Sequence, residues 1–295
     1  MQLKDLAYYV ALTEQKNFSL VATQFHVSQP TISAAIRRLE TELQTQLLIR
    51  DNPHQPLVLT TTGQQVRDHA KLILHQANLM HLEVQHSEQQ RLVIGMPPII
   101  EITYLPRVAR QLPPKIFKQL APISQGSLAA LKSLKSGQFD VAFLGYLDAL
   151  AEPALTIERF DRQPFSIIVA RDHPLASQPE IAFQTLRQTP FIALKHNFVH
   201  RQAFQQLARQ NHIQPPILFE SNEIQGVLNM VANQVGIALL SNAVPIDKTA
   251  LVRIPLSDTP APMFNVGLAY RQDTTFSPVQ QQLLTQIRTA FGLQN

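Results

Sequence analysis

The sequence predicts an α/β protein that begins with a small helical domain, continues through one long helix and ends in a two-lobed α/β domain. Three observations predict this order. Residues 19–40 hold two short helical patterns joined by a tight turn. Residues 64–89 form an uninterrupted helical pattern without Pro or Gly. From Arg91 onward, short apolar strands alternate with amphipathic helices, which is the rhythm of a parallel α/β domain.

The composition agrees with about two domains, at roughly 100–200 residues per domain. Hydrophobic residues make up 45% of the 295 residues, enough for sizeable cores. The chain has no cysteine, which excludes disulfides, thiolate metal sites and a cysteine nucleophile. The first residues read as an amphipathic helix rather than a signal peptide, and no apolar run approaches the roughly 18 residues of a membrane span. We therefore expect a cytoplasmic protein.

The helical pair near the N-terminus follows a first helix over residues 3–14. The chain turns at His26-Val27, and Ser28 is suited to cap the next helix because its hydroxyl can accept from a free backbone amide. Pro30 falls in the first turn, where a missing amide donor costs little. One side of this second helix is apolar and is predicted to be buried, at Ile32, Ile36, Leu39 and Leu43.

The opposite side of that helix carries side chains that can read base edges. Gln and Arg pair bidentately with adenine and guanine, and Ser or Thr with either. The side chains on this face are Gln29, Thr31, Ser33, Ala34 and Arg37. On periodicity alone, an ordinary helical hairpin with a solvated polar face is the favoured interpretation of the pattern.

A two-stranded wing is predicted after this helix, from residues 47–49 and 57–59. Arg50 and His54 would then lie where a wing meets phosphate or the minor groove, although a solvated loop position fits His54 as well. The net charge of +4 does not mark the DNA-binding region, because residues 1–60 are neutral and residues 91–295 carry +5. DNA binding must rest on locally placed cations (Lys16, Arg37, Arg38, Arg50) and on backbone amides at helix starts.

The long helix carries an apolar seam with a period of 3.5 residues, which is typical of helix pairing. The seam consists of Val66, Ala70, Ile73, Ala77, Met80 and Val84, and Leu72 and Leu79 form a second apolar line. A dimer interface between two such helices explains both lines. Packing against the chain's own C-terminal domain is the alternative.

Together these residues resemble LysR-type transcriptional regulators. The resemblance rests on Phe18-Ser19, Ala22, Val27-Ser28-Gln29-Pro30, Ile32-Ser33, Ile36, Leu39-Glu40, Leu47, Arg50, and Leu59-Thr60 with Gly63. Weaker landmarks follow at residues 136–142, 171–176 and 236–240. The chain departs from the family at Ala34, where Arg, Lys or His is frequent, and at Gln44, Leu48 and Thr62.

The resemblance implies a winged helix-turn-helix DNA-binding domain over residues 1–60, a dimerisation helix over 61–90 and an effector-binding domain over 91–295. That last domain would be shaped like a two-lobed periplasmic binding protein, with lobe I at 91–162 and 266–295 and lobe II at 163–265. It also implies a dimer that pairs further into a homotetramer. The DNA-contacting residues would be Ser28, Gln29, Pro30, Thr31, Ser33, Ala34, Arg37 and Arg50.

An effector is expected beyond the carboxyl ends of the strands, near helix starts. The candidates are Pro97, Pro98, Ile99, Ile100, Gly126, Ser127, Leu128, Gly145, Tyr146, His196, Asn197, Phe198, His200, Ser221 and Asn222. The loop at 96–100 is apolar where the family often has Ser or Thr. This favours a more apolar ligand, or one held elsewhere. A purely structural N-cap is an equal alternative for Ser127.

No metal or cofactor is expected. His196 and His200 are four residues apart, but no third ligand follows at a recognisable spacing. Enzyme motifs such as G-x-S-x-G, the P-loop and G-x-G-x-x-G are absent, so we expect no catalytic activity. The expected function is a DNA-binding transcription regulator whose partners are double-stranded promoter DNA, a small metabolite or organic acid, and further copies of itself, with no membrane. The alternative is a solute-receptor-like protein without an essential DNA role.

Overall fold

A computed structural model of the chain describes residues 1–49 and 57–293. The chain divides into two compact units, Met1–Leu82 and Glu83–Asn295. The elements of the first unit are α1 (Leu3–Gln15), α2 (Phe18–Gln24), α3 (Gln29–Glu42), β1 (Leu48–Ile49), β2 (Val58–Leu59) and most of α4 (Thr61–Glu88). In the described residues, no helix is both long and apolar enough to cross a membrane.

The three N-terminal helices pack around one small core. Tyr9 and Leu12 of α1, Val21 of α2, and Ile32 and Ile36 of α3 are fully buried there. Asn17 caps α2 by accepting from the amides of Ser19 and Leu20, and His26 takes a positive φ in the turn before α3. The buried apolar side of α3 is shorter than predicted, because Leu43 follows the last helical residue and is exposed.

The two short strands pair antiparallel as the wing prediction requires, with Leu48 opposite Leu59 and Ile49 opposite Val58. Arg50 and His54 lie outside the described residues. Gly63, in the first turn of α4, packs tightly on this region: a Cβ there would lie 2.1 Å from the backbone oxygen of Leu47. The strand pair is thereby tied to the start of the long helix.

The predicted seam of α4 divides into two parts. Ala70 is buried, and Val66 packs against the same helical core, so this part of the seam stabilises the first unit itself. The burial of Ala70 does not fit the dimerisation role predicted for it, whereas the role predicted for the half-buried Val66 stays a prediction. Farther along, Met80 and Val84 are 56% and 57% exposed and Leu72 is 61% exposed. Leu79, in the second apolar line, is buried.

The second unit is an α/β structure built on two groups of strands. Its elements are β3 (Leu92–Met96), α5 (Pro98–Gln111), α6 (Pro114–Phe117), β4 (Leu120–Ser124), α7 (Ser127–Lys135), β5 (Val141–Tyr146), β6 (Leu155–Ala170), β7 (Phe191–Leu194), α8 (Val199–Gln210), β8 (Ile217–Ser221), α9 (Ile224–Ala232), β9 (Ala238–Ser241), β10 (Leu251–Pro255), β11 (Met263–Arg271) and α10 (Pro278–Ala290).

The strand β6 connects the two groups. Its first half pairs antiparallel with β11, which pairs with β5, and β3 runs parallel to both β5 and β4. Its second half pairs with β9 and β10, and β7 and β8 pair beside this second group. Only the second half of β6 has the largely apolar sequence of a short buried strand. The first half carries Glu158, Arg159, Asp161 and Arg162 and lacks apolar alternation, so the sequence pattern does not indicate a strand there.

Polar side chains of α5 form hydrogen bonds with both groups of strands. Thr103 of α5 donates to the backbone oxygen of Ala243, just after β9, at 2.8 Å, and Tyr104 donates to Asp161 in the middle of β6. The helix α5 thereby contacts both strand groups.

Asp140, just before β5, has a structural role: Oδ2 accepts from the Val93 amide at 2.8 Å, and Oδ1 lies 2.9 Å from His86 Nδ1.

Candidate functional site

The first candidate site is the exposed face of α3. Ser28 caps the helix, accepting from the Thr31 amide at 3.4 Å, and Pro30 falls in the first turn. Seven residues predicted to contact DNA belong to α3 or to its N-cap, whereas Ile32, Ile36 and Leu39 of the same helix are fully buried. Six of the seven are exposed, namely Ser28, Gln29, Pro30, Thr31, Ala34 and Arg37, and the seventh, Ser33, is half-buried. The helix therefore presents an exposed, largely polar surface while its apolar side chains are buried.

Two neighbouring arginines of α3 have different surroundings. Arg38 donates to both carboxylate oxygens of Asp5, from Nε at 3.0 Å and from a terminal nitrogen at 2.6 Å, and Asp5 is buried in the helical core. This hydrogen bonding raises the pKa of Arg38 above its ordinary value. Arg38 therefore connects α3 to α1, and its side chain is exposed, as is that of Arg37. The DNA-binding role of Arg38 stays a prediction.

The second candidate site is a small apolar chamber in the second unit, named here the inner chamber. Three helices begin beside it, α5, α7 and α8, and none has a side-chain N-cap. Its walls are Pro97, Ile99, Gly126, Ser127, Phe198, Val199, His200 and Phe264. Six of these eight were predicted; Val199 and Phe264 were missed, because strand and helix patterns do not show which core residue faces a cavity. The free volume is about 10 Å³, room for roughly one water molecule.

His200 is the main polar group of the inner chamber. The side chain is fully buried, its Nε2 lies 3.1 Å from Ser241 Oγ, and the rings of Phe165 and Phe264 lie 5.2 Å away. Among the described residues, Nδ1 has no hydrogen-bond partner. Burial lowers the pKa of His200 from its ordinary 6.5 to about 3, so the imidazole is neutral at physiological pH. A buried nitrogen without a partner is unusual, and it leaves one hydrogen-bonding position open beside the cavity.

Ser127 joins α7 to β5. Its Oγ accepts from the Gly145 amide at 3.0 Å, and the N-cap position of α7 belongs to Gly126. The alternative that Ser127 is an N-cap is therefore wrong. Gly145 itself must lack a side chain, since a Cβ would lie 2.6 Å from the ring of Phe264.

A larger cavity, named here the outer chamber, adjoins the inner chamber and shares Ser127 and Val199 with it. Its volume is about 370 Å³. The walls come from α7, the end of β5 with the loop after it, and α8; they include the predicted Leu128, Gly145 and Tyr146. Burial raises the pKa of the Tyr146 phenol, which keeps it protonated. The polar groups that the sequence missed are Asp148, Gln202, Gln205, Gln206 and Arg209.

Several predicted effector residues lie elsewhere. Ile100 is fully buried in the hydrophobic core, and Ser221 accepts from the Glu223 amide at the start of α9. Pro98, His196, Ser221 and Asn222 line neither chamber. His196 is exposed whereas His200 is buried, and within the described ranges no three metal-ligating side chains cluster. Asn197 also lines neither chamber, although a Cβ on Gly126 would lie 3.4 Å from its backbone oxygen.

Comparison with known proteins gives the family. Residues 3–64 match the model of the bacterial regulatory helix-turn-helix protein, lysR family, and residues 85–292 match the LysR substrate binding domain. The chain belongs to the LysR family. The malolactic fermentation system transcriptional activator of Lactococcus lactis is 30% identical to this LysR-family chain over 290 residues, covering 98% of it and 99% of the relative.

Two further proteins extend the comparison. The hydrogen peroxide-inducible genes activator of Dickeya chrysanthemi is 29% identical over 297 residues, covering 98% of this LysR-family chain and 95% of the relative. The structure of full-length CbnR with its target DNA has the same fold, at a TM-score of 0.52 and 17% identity, covering 99% and 100% of the two chains. The chain is thus a DNA-binding transcription regulator with a small-molecule effector domain, and the alternative of a receptor without a DNA role is set aside.

Proposed function

We propose that α3 enters the major groove of promoter DNA and reads bases with its exposed face. The observation that carries this proposal is the geometry of α3, which is capped at Ser28, buried on one side and polar on the other. The DNA-contacting residues are Ser28, Gln29, Pro30, Thr31, Ser33, Ala34, Arg37 and, from the wing, Arg50. Gln29 and Arg37 are the side chains that pair bidentately with bases.

The assembly we propose is a homodimer through α4 that pairs again into a homotetramer. Ile73, Met80 and Val84 are exposed at heptad spacing, and Ala77 between them is half-buried. Apolar side chains exposed along one helical line are stabilised by a partner helix. Two recognition helices then address two half-sites of a roughly palindromic operator.

The effector site we propose is the cleft formed by the inner and outer chambers. The unpartnered Nδ1 of His200 and the three uncapped helix starts favour a ligand there. Binding favours one arrangement of the lobes, which changes how the DNA-binding units are spaced. A response through thiol oxidation is excluded, because the chain has no cysteine. We assign the protein no catalytic role and place it in the cytoplasm with its DNA.

Replacing Gln29 with alanine tests the DNA contact. The variant is expected to lose about 1–3 kcal/mol of discrimination at one base position, the magnitude of a bidentate base contact. Binding titrations against every single-base variant of the operator measure this loss, with Gln65→Ala, an exposed glutamine of α4, as the matched control. An equal loss on all sequences would show that Gln29 contacts only the DNA backbone.

A further inference from the structure

The chemistry of the two chambers narrows the class of effector, an inference that rests on the proposed effector cleft. The outer chamber is roomy and polar, and the inner chamber is apolar with one open hydrogen-bonding position. Both chambers are lined by Ser127 and Val199 and therefore adjoin at these two residues. A molecule that occupied both chambers would need a polar head and a small tail.

The outer chamber holds one carboxylate and one guanidinium on different walls. Asp148 follows β5, and Arg209 lies near the end of α8. Neither forms an ion pair within the described part of the chain, and Arg209 uses only its Nε, which donates to the backbone oxygen of Gln205 at 3.2 Å. The amides of Gln202 and Gln206 line the same space. A head that carries one positive and one negative charge complements this pair.

The inner chamber accepts a small uncharged tail. Pro97, Ile99, Phe198 and Phe264 form apolar walls, and no Asp, Glu, Lys or Arg side chain lines the chamber. A carboxylate placed there would be buried without a cation, which is strongly unfavourable. A hydroxyl instead matches both the space of about 10 Å³ and the open Nδ1 of His200, which can donate or accept according to its tautomer.

We propose that the effector is a small α-amino acid with a hydroxyl on its side chain. Its ammonium group lies at Asp148, its carboxylate at Arg209, and its hydroxyl meets His200 Nδ1 in the inner chamber. A volume of about 370 Å³ falls within the usual range for small-molecule sites. Bridging Asp148 on one wall and Arg209 on the other draws the two walls together.

Isothermal titration of the full-length protein tests the class. L-Threonine and L-valine have nearly the same shape and differ in the hydroxyl, and L-serine and L-alanine form a second pair. We expect each hydroxyl member to bind about tenfold more tightly than its partner, since one buried hydrogen bond separates them. Propionate and n-propylamine, which each carry one of the two charges, are expected to bind at least tenfold more weakly than threonine.

Substitutions at Asp148, Arg209 and His200 test the three proposed contacts with the ligand. Asp148→Asn and Arg209→Gln are each expected to weaken threonine binding at least tenfold, while Arg187→Gln, an exposed arginine that lines neither chamber, leaves binding unchanged. The exchange Asp148→Arg with Arg209→Asp should restore part of the affinity, because a zwitterion can bind reversed. His200→Phe should abolish the preference for threonine over valine; His200→Gln, which keeps a hydrogen-bonding group, should retain part of it.

The possible results distinguish a failure of the amino-acid assignment from a failure of the proposed effector cleft. Equal binding of threonine and valine, or no effect of the charge variants, would overturn the amino-acid assignment. A different result would be that no amino acid binds, whereas succinate or another carboxylic acid does. If Gly126→Trp then abolishes binding of that acid while DNA binding persists, the proposed effector cleft is supported and the proposed ligand class is wrong. Retention of binding in Gly126→Trp, which would push against Asn197, would overturn the cleft itself.

Discussion

The residue with the clearest physical signature is His200, because its imidazole is buried and its pKa is lowered as a result. Its pKa is lowered to about 3 by burial, whereas an unfolded chain keeps it near 6.5. Below pH 6.5 the unfolded state binds a proton that the folded state does not. The stability that His200 contributes is therefore complete above pH 6.5 and is lost progressively as the pH falls from 6.5 towards 3.

His200→Gln tests this linkage. Between pH 7 and pH 5 the free energy of unfolding of the second unit is expected to fall by about 2 kcal/mol less in the variant than in the parent chain. Chemical denaturation at both pH values measures the difference, with His196→Gln as the exposed control. Equal pH dependence in the parent and the His200 variant would mean that the buried imidazole takes up a proton without cost.

The same residue shows where prediction from sequence stops. The cap at Ser28 and the early Pro30 depend on residues within one turn, so the sequence predicts them and the structure has them. The surroundings of the His200 imidazole, by contrast, include Ser241 and Phe264, which lie 41 and 64 residues later in the chain. The sequence named His200 as a candidate but could not predict its burial. The partners of Arg38 and Ser127 were hidden for the same reason.

At the scale of elements, α4 has a buried part and a part with exposed apolar side chains along its length. Its first turns bury Ala70 in the N-terminal core, and its later turns expose Ile73, Met80 and Val84. The heptad pattern was visible in the sequence because it is local. The sequence does not show which half of the heptad pattern packs against the chain's own core, because both halves have the same periodicity.

The paired substitutions Ile73→Asp and Met80→Asp are expected to dissociate the dimer, because charges would be buried without partners at the helix interface. Sedimentation velocity measures the change, and Gln65→Asp with Gln76→Asp adds the same charge at exposed polar positions of the same helix. Ala70→Asp is expected to unfold the N-terminal unit instead. A dimer that persists at micromolar concentration in the Ile73/Met80 variant would place the interface elsewhere.

The strands show a similar division. Short apolar strands such as β5 and β7 were predicted because both faces are buried and the residues are uniformly apolar. The polar half of β6 and all of β10 were missed. Arg253 in β10 donates to the backbone oxygens of Ser241 and Val244, a role that only the folded neighbours define.

On the scale of the whole molecule, two units divide the work of a transcription regulator. The N-terminal unit presents the polar face of α3, and the C-terminal unit encloses the two chambers. Net charge does not reveal this division, because residues 1–60 are neutral while the positive charge lies in residues 91–295. We therefore expect recognition of DNA to depend on a few locally placed side chains and on backbone amides at helix starts.

Footprinting tests the central claim most directly. The full-length protein is incubated at low ionic strength with a genomic fragment from beside its own gene, and the protected bases are mapped. Two protected half-sites related by two-fold symmetry are expected, with centres about 10–10.5 base pairs or a multiple of that apart. No protection, or protection without a two-fold pattern, would show that α3 does not read paired half-sites.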